Sequence, residues 1–413
     1  MTSLTFLHQN ARWLSVGAMM MFLSSFGQTF FISIFAGEIR SEFGLSHGGW
    51  GSLYAIGTLA SAVVMVWSGM LSDRLRVRVL GPCVLIGLAL ACLLMAGNHA
   101  VWAVPVVIFL LRFFGQGMAS HVAQVAMARW FARARGKALA VATMGFSVGE
   151  ALLPMIVVAA LGWMQWRGVW VAGAMVLLLL IPVLMWLLKE ERTPQSLATQ
   201  ESSTGMGGRH WRRADMLRHP LFWMLLPYLM MPPCFGTAFY FQQVHMAEVR
   251  GWTHAEFVAL VPLYTVTGLV AMMSYGWAID RFGSLRLLPL FQLPFALGFW
   301  VLSGVDSAQG LALVFVLFAL MTGGAATVFG AFWAEFYGTG HLGAIKSLGS
   351  AVMVLASALG PGISGALIDA GVDFPSQAPA IALAILGASA LAGFGVWRTQ
   401  KQESGRSEEQ PLS

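Results

Sequence analysis

Two ionisable side chains stand deep inside apolar runs of this 413-residue chain: Arg112 in VWAVPVVIFLLRFFGQGMAS and Glu150 in GFSVGEALLP. A guanidinium away from water offers a planar fork to a carboxylate or phosphate, or pairs with an acid of its own chain. A glutamate in such surroundings holds or releases a proton according to what stands beside it. Arg112 lies about 16 Å from one end of its run, and Glu150 about 20 Å from the opposite end of the next. Consecutive antiparallel segments would thus bring them within about one helical turn of the same depth. The spacing makes a coupling pair available, and equally an inert ion pair that joins two helices.

Other reactive constellations are weaker. The letters around Ser147 spell G-x-S-x-G, a hydrolase elbow that needs a strand, a sharp turn and a helix. Here the motif lies within one apolar run, so no hydrolase is read from it. Gly338 and Gly343 have the spacing of a phosphate loop, but Ala344 follows where lysine is required. Cys83, Cys92, Cys234 and the nine histidines show no metal-ligand spacing. The expectation is no enzyme, no metal and no cofactor.

The elements that position these residues follow from composition. Charged residues make up 10% and hydrophobic ones 58%, with a mean hydropathy of +0.73. A soluble domain is about a quarter charged, so this chain belongs in a lipid bilayer. Twelve runs reach the length of about 20 residues that a spanning helix needs. They cover roughly 14–37, 49–71, 78–97, 101–124, 137–160, 168–188, 221–244, 257–279, 285–304, 310–332, 343–368 and 377–397. A barrel would show short alternating segments, and none occur. With the N-terminus inside, 20 of the 24 Lys and Arg fall on the cytoplasmic side, Arg40, Arg167 and Arg250 outside, and Arg112 within a run. This is a strong positive-inside bias. Both termini are therefore expected in the cytoplasm of a cell bounded by this inner membrane. The net charge of +6 reflects topology and calls for no nucleic acid.

The chain also repeats itself. GMLSDRLRVR at Gly69–Arg78 returns as GWAIDRFGSLR at Gly276–Arg286, an offset of 207 that also matches Gly117 with Gly324, Gly136 with Gly343 and Pro154 with Pro361. An offset of six segments gives a parallel repeat. The expected organisation is a six-helix bundle over 1–188, a cytoplasmic loop over 189–220, a second six-helix bundle over 221–397 and a tail over 398–413. Within the loop, RHWRRADMLRHP is assigned to the inner membrane surface. Gly145 and Gly149 form a G-x-x-x-G face for close helix approach.

Twelve segments, the 6+6 repeat, the basic central loop and the G-x-L-S-D-R stretch resemble the major facilitator superfamily over essentially the whole chain. Gly69, Leu71, Ser72, Asp73 and Arg74 match its G-x-L-[AS]-D-R-x-G-[RK] loop motif, while Arg76 stands where the family has glycine and Val77 where it has a base. The resemblance implies a fold of two parallel six-helix repeats and a secondary active transporter. It also implies a latch between the halves. Asp73 would face the helix N-terminus near Gly343, where free N–H groups favour a carboxylate, and Asp280 would face Gly136 and Lys137. The latch set is Gly69, Asp73, Arg74, Gly276, Asp280 and Arg281.

In relatives the arginine of an R-x-x-x-G segment-4 motif, matched here by Arg112 in RFFGQG, is tied to proton coupling or anion binding. Segment 5 departs from the drug-antiporter pattern ending in Gly-Pro, since Glu150 follows Gly149 and Pro154 comes four residues later. Segments 1, 4, 7 and 10 line the cavity in this family. On that basis Gln28, Arg112, Gln116, Tyr240, Gln243 and Thr327 are the candidate solute-binding residues, with Thr29, Ser120, Gln242 and Thr322 nearby. Pro232-Pro233 is expected to interrupt segment 7 and free carbonyls toward the cavity. The aromatic residues are assigned to lipid-facing or core positions. The reading is a monomer that moves a small organic solute, an organic anion carried with protons, by alternating access. The alternative within the class is proton-driven efflux of drugs or metabolites. From a different class, a membrane enzyme would need a nucleophile or metal cluster, and a scaffold would lack cavity polarity.

Overall fold

The computed structural model describes residues 3–68, 71–131, 135–190, 205–338 and 341–408, and among them there is no β-strand. Twelve rods follow one another. They are α1 (Leu7–Gly27, then Thr29–Phe43 after a 45° bend), α2 (His47–Met65), α3 (Val77–Gly97), α4 (Val101–Met127), α5 (Lys137–Leu161) and α6 (Trp166–Leu187), then α7 (Pro220–Phe241), α8 (His254–Phe282), α9 (Leu293–Leu302), α10 (Ala308–Tyr337), α11 (Leu348–Asp369) and α12 (Phe374–Lys401). Ten are long and apolar enough to cross a membrane, α1 makes an eleventh if its two pieces form one span, and α9 is shorter. Large apolar side chains such as Leu179, Met273, Trp186 and Leu383 remain exposed on the outer faces, where only lipid would cover them.

Segments 1 and 9 are not continuous helices. In α1 the turn at Ser24–Gly27 tightens to a 3₁₀ helix and Gln28 is extended (φ −86°, ψ 154°). Ser24 helps to bend the chain by donating from Oγ to the Met21 carbonyl at 2.7 Å. In segment 9 a short helix at Ser284–Leu287 gives way to turns before Leu293–Leu302 begins. Pro289 and Pro294 explain the gap, since each removes a ladder donor. Segment 7 does the opposite: Pro220–Phe241 stays helical through Pro227, Pro232 and Pro233. The Tyr228 carbonyl, orphaned by Pro232, accepts from Gln292 Nε2 at 2.9 Å. It is turned to the break in segment 9 and not to the cavity. Tyr228 Oη in return donates to the Leu288 carbonyl. The two irregular stretches satisfy one another.

Each half has its own core. One joins Leu14 to Leu188 and takes in Phe241 of α7, and the other joins Met206 to Val396. The repeat is visible in helix contacts. A Cβ on Gly117 of α4 would meet Met65 at the end of α2, and one on Gly324 of α10 would meet Tyr275 of α8. The apolar side chains of the second part of the central loop, expected to face lipid, are covered by the second half instead. Met206, Trp211 and Met216 are buried in the second core, Trp211 N donates to the Tyr337 carbonyl at 3.1 Å, and Arg209 stacks on Trp211 at 4.1 Å. Apolar side chains at this spacing found protein rather than lipid to cover them.

Between the halves, the described hydrogen bonds all lie in the part of the bundle away from the termini. There α2 meets α11 backbone to backbone: a Cβ on Gly51 would collide with the Pro361 carbonyl, and one on Gly365 with that of His47. Asp369, ending α11, accepts from the His47 and Gly48 N–H groups at 3.0 and 2.8 Å. It caps the N-terminus of α2 with a charge-assisted bond. Gln243 Nε2 donates to Ser33 Oγ at 2.8 Å, and the Trp50 and Phe241 rings stack at 5.5 Å. The molecule is closed at its far end.

Candidate functional site: a cavity between the halves

A cavity of about 250 Å³ lies between the halves, just under the usual range of roughly 300–1,000 Å³ for ligand pockets. The first half supplies Gln28, Thr29 and Phe30 at the break of α1, Gln116 from α4, and Phe146 and Glu150 from α5. The second supplies Thr237 and Tyr240 from α7, Tyr264 from α8, Phe295 from α9, and Phe318 and Thr322 from α10. Tyr264 Oη donates to Thr322 Oγ1 at 2.8 Å. Among the described residues the buried Tyr240 hydroxyl has no hydrogen-bond partner.

The expected pair of Arg112 and Glu150 is not formed. Arg112 is 1% exposed and does not line the cavity. Its Nη1 donates to the Gly27 carbonyl and to Thr29 Oγ1, both at 3.2 Å, and its guanidinium lies 5.6 Å from the Tyr54 ring. Thr29 Oγ1 shares a 2.6 Å hydrogen bond with Tyr54 Oη. Two local features produce this. Residues Arg112–Ala119 form a π-helix, so the expected alignment of Arg112, Gln116 and Ser120 on one α-helical face is lost. The break of α1 also wedges between α4 and α5. A Cβ on Gly27 would strike Leu111 and Gly115 of α4, and one on Gly149 would strike Ser25.

Glu150 is held at the cavity by close helix approach. A Cβ on Gly145 would collide with the Ala18 carbonyl, so α5 lies on α1 through the Gly145/Gly149 face. Among the described residues Glu150 has no hydrogen-bond or ion-pair partner.

Of the six candidate binding residues, the structure brings Gln28, Gln116 and Tyr240 to the cavity. Arg112 is behind its wall. Gln243 is committed to Ser33 in the far-end closure, and Thr327 Oγ1 donates into its own helix, to the Gly324 carbonyl at 3.0 Å. The aromatic wall and Tyr264 were missed because ring periodicity alone does not separate a core face from a cavity face. Asp369 was missed as well, although an aspartate at a segment end is the residue type that caps a helix N-terminus.

The loop latch is only partly in view. Gly69 and the side chains of Asp73 and Arg74 lie outside the described residues. A Cβ on Gly276 would meet nothing, and Asp280 is exposed with no hydrogen bond to a described residue. The Arg281 guanidinium lies 5.8 Å from the Trp277 and Phe282 rings of its own loop.

The chain is similar to known proteins in three ways. The model of the Major Facilitator Superfamily matches residues 17–275 and again 236–412. The membrane sensor protein UhpC of Escherichia coli (strain K12) is 25% identical over 262 residues, 59% of either chain. Its counterpart in Salmonella typhimurium (strain LT2) is 25% identical over 232 residues, 52% of either chain. The chain thus spans between half and three-fifths of these curated relatives. Crystal structures of a bacterial homologue of the human lysosomal transporter Spinster, inward-facing, superpose with TM-scores of 0.67 unoccupied and 0.64 occupied. The first shares 14% identity and covers 96% of this chain and 95% of that one; the second shares 15% and covers 95% and 94%. Identities this low speak for the fold. With a family match running through both halves, and twelve rods set around a cavity between them, the chain belongs to the Major Facilitator Superfamily.

Proposed function

We propose that this protein is a secondary active transporter that moves a small organic solute by alternating access. Proteins of this superfamily are transporters and not enzymes. The observation that carries the reading is the cavity between two six-helix halves, sealed at the far end by the α2–α11 seam and the Asp369 cap. The basic-residue bias identifies the far end with the outside and the termini with the cytoplasm of an inner-membrane protein. On this reading the closed far end is the outer one.

Glu150 is the group proposed to carry the coupling proton, since it faces the cavity alone. An acid whose surroundings alternate between the two states changes its proton affinity with them. Arg112 is given a different task from the one expected of it: it fastens the break in α1. The organic-anion reading leaned on Arg112 as the binding cation, and its burial behind Thr29 withdraws that support.

The test is a far-end lock. A Cβ on Gly48 would lie 3.2 Å from the Ala366 Cα, so cysteines at Gly48 and Ala366 should crosslink in the state described here. A solute found by thermal-shift screening is followed by counterflow into proteoliposomes. Crosslinking should reduce counterflow to background, and reductant should restore it. Undiminished flux through the locked protein would overturn alternating access.

A further inference from the structure

Resting on the transporter reading above, we infer that the solute of this cavity is an organic cation with an apolar or aromatic body. The first ground is charge. Among the described residues lining the cavity Glu150 is the one formally charged side chain, and it has no partner. The nearest guanidinium is turned away, onto Gly27 and Thr29. A cation leaving water would be compensated at Glu150 once its proton has left, whereas no charged group in the described lining would compensate an anion.

The second ground is the wall. Phe30 and Phe146 meet edge to face at 5.9 Å beside Glu150 in the lining, and Tyr240 and Tyr264 do so at 5.8 Å from the other half. Edge-to-face pairs leave ring faces, the negative side of the aromatic quadrupole, open to a neighbour. Rings of both halves thus share a volume with one carboxylate, the chemistry that recognises alkylammonium groups on apolar bodies. The remaining polar lining, Gln28, Gln116 and Thr237, carries acceptor oxygens able to take N–H donors from such a solute.

The proposal includes an exchange. When the cation arrives, the Glu150 carboxyl O–H breaks, its proton leaves to the open side, and the carboxylate pairs with the cation. When the proton returns, the pair breaks and the cation is released. One carboxylate then serves both ions in turn.

The experiment is calorimetry on the purified full-length protein with three probes of similar body: benzyltrimethylammonium, benzyl alcohol and benzylphosphonate. The cation should bind best, and its affinity should fall as pH is lowered. Glu150→Gln should weaken cation binding by about tenfold or more, the scale of a lost charge-assisted contact, while Glu150→Asp retains part of it. Tighter binding of benzylphosphonate, no binding of any probe, or an affinity unmoved by pH in the unaltered protein would each overturn the cation assignment. The pH arm needs no variant, so a misfolded Glu150→Gln leaves the test decisive. The Gly48–Ala366 lock reads alternating access whatever the charge of the solute, so the two readings fail separately.

Discussion

Arg112 and Glu150 stand at nearly the same depth and on opposite sides of α1, and this geometry has a measurable consequence. They share no hydrogen-bond partner, so changes at the two sites should act independently. The stability losses of Arg112→Met and Glu150→Leu, read as melting temperatures, should add to within about 0.5 kcal/mol in the double variant. A double variant markedly more stable than that sum would restore the direct ion pair. Arg112→Met itself should be the costlier change, because it leaves the Gly27 carbonyl without its donor inside the membrane. That both residues matter was legible in the sequence, since an ionisable group in an apolar run needs a reason. The direction of the Arg112 side chain was not. It depends on the π-helix at 112–119 and on an extended Gln28, which leave no mark on a 3.6-residue pattern.

At the scale of elements, the irregular helices pair off. The orphaned carbonyl at Tyr228 is served by Gln292 at the break in segment 9, and the carbonyl at Gly27 by Arg112 from the π-helix of α4. Gln292→Leu keeps the volume and removes the donor. It should cost about 0.6–1.7 kcal/mol, the range for side-chain hydrogen bonds between membrane helices, and lower the melting temperature without abolishing expression. No change in melting temperature would mean that the Tyr228 carbonyl finds another donor. The prolines announced that a ladder would be disturbed but not where the freed group would turn. Pro232 and Pro233 left α7 one helix, while Pro289 falls in the gap after Leu287 and Pro294 stands in the first turn of the next helix. The difference lies in the partner waiting opposite, which is a tertiary fact. The Gly145/Gly149 face, by contrast, was readable outright, because small residues four apart serve one purpose in an apolar helix.

For the molecule as a whole, the balance between its two states should respond to the far-end cap. Asp369→Asn should weaken the closed far end by about 0.3–2 kcal/mol, the range for a charge at a helix N-terminus. Spin–spin distances between labels at Arg40 and Val372 should lengthen or broaden, and unchanged distances would show that α2–α11 contact alone keeps the seal. Acid should act in the same direction. His245, outside the spans, is half buried and its ring lies 4.6 Å from that of His47; its Nε2 accepts from the Phe374 N–H at 3.4 Å. Burial first, then the His47 and Arg40 charges, push its pKa down from 6.5 to about 4, against the pull of Asp373. A depressed imidazole contributes stability in full above pH 6.5 and loses it as pH falls toward about 4. The far end should therefore open on acidification across that window, and His245→Gln should blunt the response. Most of the runs were legible because lipid imposes length and hydropathy on a span, and α9, too short to meet that demand, is the exception. Which end is closed was not, since one sequence must serve both states. The central loop adds a mechanical consequence. Residues 186–190 are held to the first half by Arg12 and Trp13, and residues from Met206 onward are seated on the second. Only residues 191–204 join the two anchorages, and fourteen residues reach at most about 50 Å when fully extended. Both ends of the connection are thus clamped, each to its own half, so any rocking of the halves must carry each clamp along with its own bundle.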